Sequence, residues 1–372
     1  MKYYVIAGEK SGDLHAANLI KKIKIKDPNG VFRGFGGDDM HKQGVEIIKH
    51  YKEMAFMGFL EVVKNLNSIF KYINLCKTDI ATFKPDVIIL VDYPGFNMRI
   101  AEYAYKNNFK VFYYISPKIW AWNTQRAYKI KKFVDRMFVI FPFETNFYKK
   151  FNFKVDYVGN PLLDAIAQFK PSQNFFENNN INADKPIIAV LPGSRKQELQ
   201  HILPQLKEVF KKFPDYQFII GGVSTLNPTY YKELLDDTDI KIVYDQTYDL
   251  LSHAVAGLIK SGTSTLEAAL FNVPQVVCYK ASNFSYQIAK RLIKVKYISL
   301  VNLVADKKVV TELIQDDLNP TLIATELEKI LPGRNERHLM EEEYKNLKLL
   351  LGNAGASEKA ATLMLEYLKE KI

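Results

Sequence analysis

Apolar runs of strand length recur along this chain in two successive series, each run parted from the next by a helical pattern. The first series reads KYYVIA, GVFRGFG, DVIILVDY, KVFYYI and RMFVIF, and the second reads PIIAVLPG, YQFIIGG, IKIVY, AGLIK and PQVVCY. Apolar runs without polar alternation belong to strands buried on both faces, and helices between them make the strands parallel. Two doubly wound α/β domains in series are therefore expected, and 372 residues are long enough for two cores. Between the series, FKPSQNFFENNNINADKP (169–186) is polar, asparagine-rich and bracketed by prolines, which marks a linker or surface loop. The boundary falls within 165–185. The expected division is a first domain over 1–168, a second over 169–345, and a C-terminal helical segment over 346–372. The amphipathic ASEKAATLMLEYLKEKI of that segment packs back on the first domain or exchanges with a partner subunit in a homodimer.

Several classes of protein are disfavoured. No run reaches the roughly 18–20 apolar residues of a membrane span, and the opening MKYYVIAGEK lacks the parts of a secretory signal, so a cytoplasmic location is expected. Cys76 and Cys278 stand far apart, which argues against a disulfide framework or a thiolate metal site. The formal charge of +10 favours anionic partners: phosphate esters, an acidic membrane surface or nucleic acid. Zinc-finger spacings, RNA-binding aromatic motifs and arginine-rich tracts are missing, which weighs against nucleic acid.

Doubly wound domains bind ligands at the carboxyl ends of their strands. In the second half, LPGSRK breaks a strand at Pro192-Gly193 and runs through Ser194 and Arg195 into a helix, as a phosphate-binding turn does. SGTSTLEAAL repeats the pattern. Ser261, Gly262, Thr263 and Ser264 offer small, N–H-rich backbone to a pyrophosphate, and Glu267, one turn inside, suits a ribose diol. A solvated basic turn and a capped helix are the plainer readings of the same residues. GFGGDD (34–39) is an incomplete dinucleotide fingerprint and there is no Walker loop, so hydride transfer and ATP hydrolysis lose ground.

In the first half, Asp92 ends the strand of PDVIILVDYPGFN, where partial desolvation would make it a general base; the alternative is a carboxylate that bonds its own turn. VIAGEKSGD carries Glu9, Ser11, Gly12 and Asp13 in a turn whose charges would repel a phosphate, and Ser11 or Asp13 could cap the first helix. Trp120 and Trp122, the only tryptophans, stand among Lys118, Arg126, Lys129 and Lys131, a set that suits a sugar phosphate or, for one indole, the core. The stripe Phe59, Val63, Leu66, Phe70 and Ile73 in MAFMGFLEVVKNLNSIFKYINL has the spacing of a core helix face, and its breadth, widened by Val62 and Ile69, with the flanking Lys64 and Lys71 also suits an acidic membrane.

Taken in order, AGEKSGD, MGFLEVV, PDVIILVDYPGFN, YYISPKIWAW, FPFE, VGNPLLD, LPGSR, SGTSTLEAAL and AKRLIKVKYISLVNLVAD resemble the lipid-A-disaccharide synthase family of GT-B glycosyltransferases over nearly the whole chain. The resemblance implies two Rossmann-like domains facing across a cleft, with the acceptor on the first and UDP on the second. It implies transfer of 2,3-diacylglucosamine from UDP-2,3-diacylglucosamine to 2,3-diacylglucosamine 1-phosphate with inversion, releasing UDP, by a peripheral protein on the anionic inner face of the inner membrane. By position it makes Asp92 the essential carboxylate, Arg195 a diphosphate contact and Asn302 a donor-site residue; it puts Asn97, Trp120 and the turn of Glu9, Ser11, Gly12 and Asp13 on the acceptor side, where that turn's polar groups hydrogen-bond sugar hydroxyls or position the base. Where familiar members read D-A-P-D-F-N, this chain has Asp92-Tyr93-Pro94-Gly95-Phe96-Asn97, so a second carboxylate is lost. No cofactor is needed. No metal is expected, since DTD (237–239) precedes a strand and so falls at the wrong edge of its sheet, and the six histidines lack ligand spacing. A UDP-sugar epimerase of the same architecture and a non-catalytic UDP-sugar sensor are the rival readings.

Overall fold

The structure, a computed structural model, describes residues 1–54, 66–236, 240–292 and 295–370, without the side chains of 66, 67, 284, 285, 288, 289 and 292. Two compact units divide the chain: Met1–Ala167 with Leu351–Ile372, and Gln168–Leu350.

The first unit is built on a parallel sheet of β1 (Lys2–Ala7), β2 (Val31–Gly36), β3 (Glu46–His50), β4 (Val87–Val91), β5 (Val111–Tyr114), β6 (Arg136–Val139) and β7 (Asp156–Tyr157), in the order β3-β2-β1-β4-β5-β6-β7. Successive β1 side chains enter opposite layers. Tyr3, Val5 and Ala7 join one core cluster with Val87, Ile89 and Val91, while Tyr4 and Ile6 join the other with Ile88 and Leu90. Both layers are apolar, which is why these strands show no alternation in sequence. The first layer is completed by the helix Lys10–Lys26 and by Ala360, Ala361, Met364 and Leu365 of the C-terminal helix Ala356–Lys369.

The second unit holds β8 (Ile187–Leu191), β9 (Gln217–Gly222), β10 (Lys241–Tyr244), β11 (Ala254–Lys260), β12 (Gln275–Tyr279) and β13 (Thr311–Ile314), all parallel, in the order β10-β9-β8-β11-β12-β13. In each sheet the chain reverses its direction of travel once, between β1 and β4 and between β8 and β11. Loops leaving the carboxyl ends of two such neighbours part to opposite faces and leave a crevice, the usual ligand position in doubly wound sheets.

Candidate active site

In the first unit β1 ends at Ala7 beside Val91, the last residue of β4. Just beyond lies a small recess lined by Gly8, Glu9, Ser11, Gly12, Val91, Asp92 and Tyr93. The Tyr93 ring covers Gly8 so closely that a Cβ there would fall 2.2 Å from it, so only glycine admits this packing. Asp92 and Tyr93 are both left-handed, at φ 45° and 47°. Consecutive non-glycine residues in that region persist only when their surroundings hold them. Here the Asn97 Nδ2 donates to the carbonyls of Val91 (3.2 Å) and Asp92 (2.7 Å). The Tyr113 hydroxyl donates to Asp92 O at 2.5 Å, and Asp92 N donates to Tyr114 O at 3.1 Å. Burial raises the Asp92 carboxyl to a pKa of about 6, with Glu9 adding to the rise and Lys118 opposing it.

Three acceptor-side expectations are corrected here. Asp13 is buried, and its oxygens accept N–H groups of Gly37 (2.7 Å), Asp39 (2.9 Å) and Met40 (3.3 Å), so it caps the short helix Asp38–Lys42 instead of facing a sugar. Trp120 is also buried; its Nε1 donates to Glu144 at 3.1 Å and its ring meets Phe143 edge-on at 4.9 Å, so it is the indole that takes the core role. Asn97 is fully buried and braces the Asp92 turn. Glu9, Ser11 and Gly12 do line the recess.

In the second unit the two glycine turns follow neighbouring strands on either side of the reversal point. Gly193 and Ser194 lead into the helix Lys196–Lys212, with Arg195 at its N-cap, half exposed. Gly262 is the N-cap of the helix Thr263–Leu270, so Thr263 is its first residue and not its cap. The Thr265 N–H donates to Gly262 O at 3.3 Å, and the N–H groups of Thr263 and Ser264, at positions whose N–H a helix does not pair internally, suit an anion together with the dipole. Glu267 receives the Tyr248 hydroxyl at 3.3 Å, and desolvation lifts its pKa to about 7. Two expectations change. The Ser261 hydroxyl donates to Ile298 O at 2.8 Å and its N–H to Cys278 O at 3.0 Å, so both of its donors are spent within the fold. Asn302 is fully buried, and its amide donates to Val310 O and Glu312 while accepting from Val309 N and Val310 N. Its side chain is saturated, so it shapes the loop and cannot also hold a donor.

The sequence profile described as Lipid-A-disaccharide synthetase matches residues 3–366. The lipid-A-disaccharide synthase of Syntrophus aciditrophicus is 38% identical over 373 residues, 98% of this chain and 97% of that protein. The chain belongs to the lipid-A-disaccharide synthase family. The protein of that name from Geobacter metallireducens is 38% identical (99% and 97% covered), and that from Coxiella burnetii is 36% identical (97% and 96%). Among solved structures, the chain is similar to a UDP-GlcNAc 2-epimerase from Neisseria meningitidis bound to UDP-GlcNAc, with a TM-score of 0.70 at 15% identity over 98% of this chain and 100% of that one. It is also similar to a calicheamicin glycosyltransferase, with a TM-score of 0.60 at 14% identity over 99% and 98%. At such identities the likeness speaks to fold, and the fold is the GT-B class expected from the sequence. The family makes the protein a glycosyltransferase of lipid A biosynthesis.

The apolar stripe Phe59, Val63, Leu66 and Phe70 falls only in part within the described residues. Phe59, Val63 and the Leu66 side chain lie outside the described residues, as does 237–239; Phe70 is half exposed, with the Arg99 guanidinium 5.3 Å above its ring. Among the described residues no helix is long and apolar enough to cross a membrane. Four residues of the site region were not anticipated from the sequence: Tyr113, Glu144, Glu198 and Lys260. Glu144 lies at the third helical position after Phe141 and accepts the N–H groups of Ile140 and Phe141 at 3.1 and 3.0 Å, so P-F-E after a strand was its available signal. Burial lifts its pKa to about 7, against those N–H groups and the Trp120 indole. Tyr113 sits inside an apolar strand run and carries no signal of its own.

Proposed function

We propose that this protein transfers 2,3-diacylglucosamine from UDP-2,3-diacylglucosamine to 2,3-diacylglucosamine 1-phosphate with inversion, giving the disaccharide 1-phosphate and UDP. The observation that supports it most is the Asp92 carboxyl, carried on a braced turn in the recess beyond β1 and β4, whose pKa of about 6 makes it a stronger base than an ordinary carboxylate while leaving it ionised at neutral pH. The step is a single displacement. Asp92 takes the proton of the acceptor hydroxyl as its oxygen attacks the anomeric carbon, and the bond from that carbon to the diphosphate oxygen breaks on the opposite face, its electron pair leaving with UDP.

The leaving diphosphate gains charge in the transition state. Arg195 and the Thr263 and Ser264 N–H groups of the helix Thr263–Leu270 therefore bind it better there than in the ground state. Glu267 takes the ribose hydroxyls, Glu9 and Ser11 the acceptor sugar. This scheme needs no metal. The acyl chains and the charge of +10 favour peripheral attachment to the anionic inner face of the inner membrane, with Phe70 and Arg99 among the contacts.

The test is mass spectrometry of products from purified protein given UDP-diacylglucosamine and the monosaccharide phosphate. A disaccharide phosphate and UDP are expected, and UDP-GlcNAc without acyl chains should be left unchanged. Turnover of the unacylated nucleotide sugar to an epimer would replace this reading. Asp92→Asn should abolish product while UDP affinity is kept, which separates an enzyme from a UDP-sugar sensor.

A further inference from the structure

Glu198, in the first turn of the helix Lys196–Lys212, folds its carboxylate back over the turn that starts the helix. Its Oε2 accepts the Ser194 N–H at 3.1 Å. Its Oε1 lies 2.8 Å from Lys260 Nζ and 4.0 Å from Arg195 Nη1. The carboxylate fits because residue 193 is glycine, at φ +111°: a Cβ there would lie 2.2 Å from Oε2. Cations from the ends of two neighbouring strands, β8 and β11, thus converge with a backbone N–H on one anionic group. Such donors are the usual partners of a phosphate oxygen.

Lys260 is the last residue of β11, and its Nζ is 3.8 Å from where a Gly262 Cβ would stand. It lies between the two turns assigned above to the diphosphate. We propose that Glu198 is a resident stand-in for a donor phosphate and that Lys260 is a further diphosphate-binding cation. The nucleotide displaces the carboxylate from Ser194 N–H by rotation of one side chain and takes over Lys260. After transfer, the returning carboxylate competes with UDP and speeds its release. This inference rests on the donor reading of the second unit, and its test separates the two.

UDP and uridine are titrated calorimetrically into the wild type, Glu198→Gln and Lys260→Met. Glu198→Gln keeps an acceptor for Ser194 N–H but removes the competing charge, and should bind UDP about tenfold more tightly; Lys260→Met should bind it about tenfold more weakly, as loss of one charge-assisted hydrogen bond implies. Uridine affinity should stay the same in both, and Lys260→Arg should restore UDP affinity. Thermal melting checks that each variant is folded. Unchanged or weakened UDP binding in Glu198→Gln makes Glu198 a helix cap only, and equal losses for UDP and uridine in Lys260→Met make Lys260 structural; either result overturns the inference while leaving the donor reading intact. A wild type that binds no UDP overturns the donor reading, and this inference with it.

Discussion

Asp92 and Tyr93 hold left-handed backbone without glycine, at a cost of order 1–3 kcal/mol each. Asn97 and Tyr113 both donate to the Asp92 carbonyl and keep the peptide from relaxing to extended backbone, which would swing the carboxyl away from the recess. Tyr113→Phe and Asn97→Ala should therefore lower kcat by about tenfold or more with KM little changed, since about 1.4 kcal/mol of misplacement is tenfold; thermal melting of each variant separates this from a loss of fold, which would lower the apparent kcat at unchanged KM in the same way. The raised pKa sets the sign of two further effects. Below about pH 6 the Asp92 carboxyl is protonated and cannot accept a proton, so kcat/KM should show an acid limb near 6 and not near 4. Stability runs the other way: the folded-state pKa lies above the unfolded value near 3.9, the folded protein holds more proton between those values, and stability falls as pH rises through that window. Asp92→Asn should thus be inactive yet more stable at pH 7.5, by up to ~3 kcal/mol, as read by denaturant unfolding. Asp92 is legible in the sequence because a both-faces-buried strand run ends on a carboxylate. Asp13 is not: a carboxylate in a glycine turn reads alike whether it faces a ligand or the backbone of a turn 24 residues away.

The inner strands are legible for the same reason that they are inner. Every run in the two series is found as a strand, and all but β10, itself an edge that kept an apolar IKIVY, lie inside their sheets, where burial on both faces removes polar residues. The strands without a counterpart in the reading are β3, β7 and β13, and each is the edge of its sheet. β3 is half-exposed EIIKH, β7 is two residues long, and β13 is TELI, so an open edge lets polar residues in and the apolar signal goes. The last helix shows a similar limit. Its stripe announces a partner without saying which, because what anchors it is a carboxylate far away in sequence. Asp164 accepts the N–H groups of Gly355, Ala356 and Ser357 at 2.5, 3.2 and 2.8 Å, an N-cap supplied from another helix. Asp164→Ala should destabilise the first unit by about 1–3 kcal/mol. Hydrogen exchange should quicken first in Ala356–Lys369, and uniform loss of protection across the unit would contradict this role.

Because the chain returns to the first unit after completing the second, the two units depend on the C-terminal segment unequally. Met364 and Leu365 are buried against the helix Lys10–Lys26 and β1, and Tyr367 reaches back to Asp156 at 3.1 Å beneath the Arg136 guanidinium, 4.0 Å from its ring. Each large apolar side chain so buried contributes roughly 1.5–3 kcal/mol. Removal of residues 351–372 should therefore unfold the first unit while Gln168–Leu350 keeps its own sheet, its two glycine turns and the Glu198–Lys260 contact. Limited proteolysis of the truncated protein should leave a protected fragment starting near residue 168, and that fragment should still bind UDP at close to the full-length affinity while transferring no sugar. Loss of UDP binding together with the first unit would mean that the nucleotide relies on residues of that unit, and the assignment of the diphosphate to β8 and β11 alone would have to be given up.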